Sequence, residues 1–111
     1  MLKVLKNNEI ELTRGDTAEL KVDITDDSDN PYTVGADDTL TLSVKRNVKE
    51  SEYCVTKSVK GDNIINLEPK DTAGLACREY VYDVELVTSD GRTYTVIEKT
   101  PFVLRDEVTT R

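Results

Sequence analysis

Arg14-Gly15-Asp16 carries the letters of an integrin-binding tripeptide, and an exposed loop of that composition would do adhesion chemistry. The same three residues also supply a turn, because Gly-Asp reverses a chain between two apolar-patterned segments, and a structural turn is expected. Asp26, Asp27 and Asp29 with Asn30 offer oxygen ligands to Ca²⁺. The alternating ligands and central glycine of a calcium loop are missing, and Pro31 falls where such a loop must flex, so a solvated loop is expected. Ser43 and Cys54 could act as nucleophiles, but the chain has no His to serve as their base and no glycine-rich phosphate loop. Cys54 and Cys77 are isolated, with no further Cys and no His to complete a zinc tetrahedron, and are expected as two reduced, partly buried thiols. Sugar-binding faces usually offer Trp or Tyr platforms. There is no Trp, and Tyr80 and Tyr82 fall on an apolar strand face, which leaves Tyr32, Tyr53 and Tyr94. These residues point away from catalysis and leave cofactor and metal sites unassigned.

The elements that must position these groups are strands. Leu20, Val22 and Ile24 alternate with Glu19, Lys21 and Asp23, and Leu40, Leu42 and Val44 alternate with Thr41, Ser43 and Lys45, so each segment presents one apolar face. Ile10 and Leu12 begin the series and end at the Gly15-Asp16 turn, from which the chain reverses into a strand over 18–25. Residues 26–38 read as a long exposed loop, 39–46 as the third strand, and the stretch around Tyr53, Val55 and Val59 as a solvated edge strand. Gly61-Asp62-Asn63 marks a turn, 64–67 a short strand, and Pro69 to Gly74 one helical turn, with Pro early and Gly at its end.

The last third holds the strongest hairpin signal. Tyr80, Tyr82, Val84 and Leu86 share a face, and Asp90-Gly91 marks the turn into 92–97. A three-residue Ser89-Asp90-Gly91 loop, with Gly91 in the left-handed region, sets Leu86 opposite Tyr94 and Val84 opposite Val96, keeping both apolar sets on one face. Glu98 to Pro101 is expected to break the pattern, since Pro101 cannot donate to a central ladder, before Phe102, Val103 and Leu104 resume it.

With 111 residues, 37% hydrophobic and 33% charged, and only five Tyr and one Phe, the chain supports one modest domain whose core volume comes from Val, Leu and Ile. The expected architecture is an all-β, antiparallel sandwich of about seven to eight strands spanning 1–105, with 106–111 as a tail or the start of a linker. A net charge of −7 disfavours nucleic acid and anionic lipid as partners, and no segment has the length or apolarity of a signal peptide or membrane span. Asp71-Thr72-Ala73 ahead of Cys77 resembles the segment before the second cysteine of antibody variable domains. Cys54 is too near to be its partner, no Trp exists to cover a bridge, and Leu75 takes the place of the corner tyrosine, so the sandwich class is retained without that kinship.

Read whole, the chain resembles the N-terminal domain of the baseplate upper protein family of tailed phages and prophages. The carrying features are Leu12 to Thr17 before the alternating 18–24 segment, Leu40-Leu42-Val44-Lys45, Ile64 to Leu67 leading into Asp71-Thr72, Tyr80 to Val84, Asp90-Gly91, and Phe102 to Leu104. One position departs from the pattern: Arg78 stands where the family has Gly. The resemblance implies an immunoglobulin-like sandwich acting as a structural assembly module. Its partners would be other tail and baseplate proteins, it would form a homo-oligomer, often a trimer, and it would reside in the virion tail after synthesis in the bacterial cytoplasm. The alternative from another class is an adhesion or carbohydrate-binding domain of a bacterial surface protein. No catalytic residue carries over.

Overall fold

Two-residue apolar alternation is realised as two packed sheets in a computed structural model that describes residues 3–4 and 7–108. The strands are β1 (Lys3–Val4), β2 (Ile10–Thr13), β3 (Ala18–Lys21), β4 (Thr39–Lys45), β5 (Val55–Lys60), β6 (Ile64–Leu67), β7 (Glu79–Val87) and β8 (Thr93–Arg105), with one short helix α1 (Pro69–Thr72) between β6 and β7. The larger sheet runs β1-β2-β8-β7-β4-β5, and β3 pairs with β6 in the smaller one. All pairings are antiparallel except β2 with β8, where Ile10 and Leu12 lie beside Phe102 and Leu104. The expected all-β sandwich is what forms. A trio of β4, β7 and β8 facing the β3–β6 pair is the immunoglobulin-like arrangement.

The core lies between the sheets. Leu40, Leu42 and Val44 of β4 and Tyr80, Tyr82, Val84 and Leu86 of β7 point inward against Leu20, Ile65 and Leu67 of the small sheet, and all are buried. The edge strand β5 is paired on one side only and carries Lys57 on its inner face, opposite Leu42. That amine escapes the core by reaching Asp71 of α1 at 3.2 Å. An inward charge on an open edge is a recognised guard against unwanted strand pairing.

Several expectations are corrected. The strand after the Gly15-Asp16 turn stops at Lys21 and does not pair back on β2; the chain instead crosses from the large sheet to the small one. Beyond it, Val22 N–H donates to Asn63 C=O at 2.8 Å and Tyr32 N–H donates to Ile24 C=O at 2.8 Å, so the segment continues as a hairpin closed by the Thr25–Pro31 bridge. The 26–38 segment is not uniformly exposed, because Val34 and Asp38 are buried.

The final hairpin has the expected three-residue loop: Thr88 N–H donates to Arg92 C=O, Gly91 N–H donates to Thr88 C=O, and Gly91 has φ +85°. Leu86 faces Tyr94 as anticipated, but Val84 faces Ile97 and not Val96. Val96 is an extra residue on β8, and a second shift follows before Tyr82 meets Thr100. These bulges turn Ile97, Thr100, Phe102 and Leu104 inward and leave Tyr94 exposed. Pro101 does not interrupt β8. Leu104 N–H donates to Arg78 C=O on the β7 side, so by alternation the N–H that Pro101 lacks would point toward β2, whose pairing starts only at Phe102.

The corner tyrosine is also present, at Tyr80 and not at the place of Leu75. Its buried hydroxyl donates to Ala76 C=O, four residues upstream, at 2.6 Å. Two residues on, where an antibody domain has its second cysteine, Tyr82 packs edge-on against Phe102 with ring centroids 6.1 Å apart. Arg78 lies over the Tyr80 ring at 5.5 Å, at the approach to β7.

Candidate functional site

The Arg14-Gly15-Asp16 tripeptide is built into the frame. Gly15, at φ +82°, is buried, and its N–H donates to the hydroxyl of the fully buried Thr72 at 2.8 Å. Asp16 N–H donates to Thr13 C=O at 3.1 Å. The Arg14 guanidinium donates to Leu75 C=O at 3.2 Å, to Asp106 at 3.2 Å and to both oxygens of Glu107, and these contacts raise its already high pKa, the hydrogen bond to Glu107 contributing most. One arginine thus joins the β2–β3 crossing, the end of α1 and the segment after β8, which leaves it no geometry for display.

The acidic 26–30 run is a tight turn. Asp26 Oδ1 accepts from Ser28 N–H at 2.9 Å and Asn30 N–H at 3.0 Å, and Asp29 takes φ +61°. Among the described residues no three His, Cys, Asp or Glu side chains are grouped to hold a metal ion. Cys54 and Cys77 are half-buried free thiols.

Sequence reading passed over Asp38. Its carboxylate is buried and accepts from Tyr32 Oη at 2.5 Å, Gly35 N–H at 2.9 Å and Ser89 N–H at 3.1 Å, fastening the β3–β4 connection to the β7–β8 loop. The Tyr32 hydroxyl, then the Gly35 N–H, hold the carboxyl below the usual range, and the same hydrogen bond raises the Tyr32 pKa. A carboxylate depressed in the fold stabilises it above its ordinary value of about 4, and that contribution is lost as pH falls through the folded value. The gap in urea midpoint between the parent and Asp38→Asn is therefore expected to be full at neutral pH and to close below about pH 4. A gap independent of pH would show that the carboxylate charge is not what holds the loops.

Two surfaces remain that could engage a partner. The first is the outer face of the large sheet, which no element among the described residues covers. Thr41, Ser43 and Lys45 of β4 stand beside Glu85, Asp83 and Val81 of β7, and beyond them Pro101 faces Val81 and Val103 faces Glu79. Thr41 and Ser58 hydroxyls are bonded at 2.9 Å, and Lys45 lies 4.7 Å over the exposed Tyr53 ring. This face is mixed: polar hydroxyls and carboxylates grade into a half-buried apolar strip of Val81, Pro101 and Val103, with exposed Val48 and Tyr53 near its β4 side.

The second surface is a cleft at one end of the sandwich, between the β3–β4 connection and the β7–β8 hairpin, with Tyr32 and Tyr94 among its lining side chains. Both tyrosines are exposed: Tyr32 lies outside the apolar strand faces, whereas Tyr94 is exposed despite its place opposite the buried Leu86. Arg92, in the hairpin itself, is paired with Asp90 at 3.3 Å. No helix among the described residues is long and apolar enough to cross a membrane. No family model matches the chain, and no curated protein matches it.

Proposed function

We propose that this chain is a non-catalytic assembly module of a phage or prophage tail baseplate, joining receptor-binding or fibre components to the tail as part of a homo-oligomer. The observation that carries this reading is the outer face of the six-stranded sheet, uncovered among the described residues, where a half-buried apolar strip of Val81, Pro101 and Val103 sits on hydrogen-bonded strands. A sheet face of this kind can bury itself against a symmetry mate without reorganising. The family resemblance of the turn and strand motifs supports the same reading. The exposed Tyr32 and Tyr94 favour the alternative, a carbohydrate-binding or adhesion domain of a bacterial surface protein.

Light scattering across a wide concentration range at physiological salt tests the proposal. A closed oligomer, a trimer above all, is the expected result, and Val81→Glu should dissolve it to monomer. A mass that stays monomeric at every concentration overturns self-assembly through this domain.

A further inference from the structure

The cleft at the Tyr32 end has a chemistry of its own. Leu86 is buried at its base with half-buried Ile24 and Val96, the exposed rings of Tyr32 and Tyr94 line it, and Asp23, Asp26 and Asp27 add three carboxylates with no Lys or Arg side chain among the lining residues. Asp26 is occupied in its turn, whereas Asp23 and Asp27 make no hydrogen bond or ion pair among the described residues. The carboxylates border the cleft without converging into a metal group. Tyr32 is held in place by its hydrogen bond to Asp38, and the charge of nearby Arg92 is balanced by Asp90. The Tyr32 ring is therefore anchored before any ligand arrives, which reduces the entropy lost on binding.

A site with aromatic faces, an apolar base and unneutralised carboxylates suits an organic cation with an alkyl stem. A saccharide can hydrogen-bond the carboxylates and hydroxyls of the cleft but leaves their negative charge unneutralised, whereas a cation both hydrogen-bonds and neutralises it. We infer that this cleft binds a Lys or Arg side chain carried on a basic, extended segment of a partner protein. The inference rests on the assembly reading for the identity of that partner, and the charge of −7 on this chain complements it.

The test is an amide-shift titration of the full chain with a capped Gly-Arg-Gly-Lys-Gly peptide, its Gln-for-Arg/Lys counterpart, and maltotriose. Saturable shifts confined to residues 23–27, 32 and 94–96 are expected with the basic peptide alone, with half-saturation on the order of 1 mM for so short a probe. Tyr94→Ala should weaken binding by about tenfold. Should that variant unfold, Asp23→Asn combined with Asp27→Asn, both at exposed positions, should weaken it and flatten its salt dependence. Absence of shifts up to about 10 mM, equal shifts with the Gln peptide, shifts spread over every acidic surface, or unchanged affinity in whichever variants fold would each overturn the inference. Shifts produced by maltotriose and not by the peptide would replace it with the saccharide reading. The titration reads the cleft and light scattering reads the outer face, so failure of either is seen separately.

Discussion

Phe102→Ala is expected to lower unfolding stability by about 3–5 kcal/mol, as read from urea midpoints at constant m-value. Phe102 is fully buried, faces Tyr80 across β7 and Ile10 across β2, and receives the edge of the Tyr82 ring. It is the only phenylalanine of the chain, and its aromatic neighbours Tyr80 and Tyr82 are each tied by a hydroxyl hydrogen bond, to Ala76 C=O and Asn8 C=O, so neither ring is free to swing into the void. Small domains are stable by only about 5–15 kcal/mol, and a loss of this size leaves the variant close to its folding threshold at the lower end of that range. Phe102→Leu keeps most of the volume and should cost about 1–2 kcal/mol. Tyr82→Phe separates packing from polarity at the same contact. The Tyr82 pKa is pushed up to about 12 by burial, so its hydroxyl stays a donor, to Asn8 C=O, and its removal should cost about 0.5–1.5 kcal/mol. If Phe102→Ala lost under about 1 kcal/mol, the two sheets would not be closed over this ring as described.

How much of this could be read in the sequence divides along physical lines. Alternation identified β4, β6 and β7 with nearly correct bounds, because in each the apolar face is uninterrupted and burial fixes the register. It failed on β8, where bulges shift the apolar period between Tyr94 and Thr100 and Pro101 read as a break. A bulge is a property of the pair of strands, and nothing local in one strand announces it. The crossing of β2 and β3 into different sheets was equally hidden, since a Gly-Asp turn serves a hairpin and a sheet-to-sheet crossing alike. Asp38 was lost among the many acidic residues of a polar loop, and its role exists only because the β7–β8 hairpin, about fifty positions on, brings Ser89 to it. Elimination from the apolar faces leaves Tyr32 and Tyr53, but Tyr94 pairs with the core residue Leu86, so its exposure and its meeting with Tyr32 in one cleft required the fold.

The second large effect concerns the Arg14-Gly15-Asp16 segment, where the adhesive and structural readings part. Thr72 is fully buried and its hydroxyl is the acceptor for Gly15 N–H. Thr72→Val keeps the shape and removes that acceptor, leaving a buried N–H unpaired, and should cost about 1–3 kcal/mol. Thr72→Ser keeps the oxygen and loses one methyl group, for about 1 kcal/mol. Gly15→Ala attacks the same junction from the backbone: with φ +82°, an L side chain adds about 1–2 kcal/mol of strain. None of these substitutions touches Arg14 or Asp16. A tripeptide displayed for adhesion would sit on a loop whose loosening leaves global stability unchanged, whereas a tripeptide that fastens α1 and the chain after β8 to the β2–β3 crossing must transmit the loss to the whole domain. The ranking Val costlier than Ser at position 72, with a single cooperative transition shifted in both, is the outcome that assigns Arg14-Gly15-Asp16 to the frame. Equal midpoints for Thr72→Val and the parent would show that Gly15 N–H finds another partner and would free the segment for display.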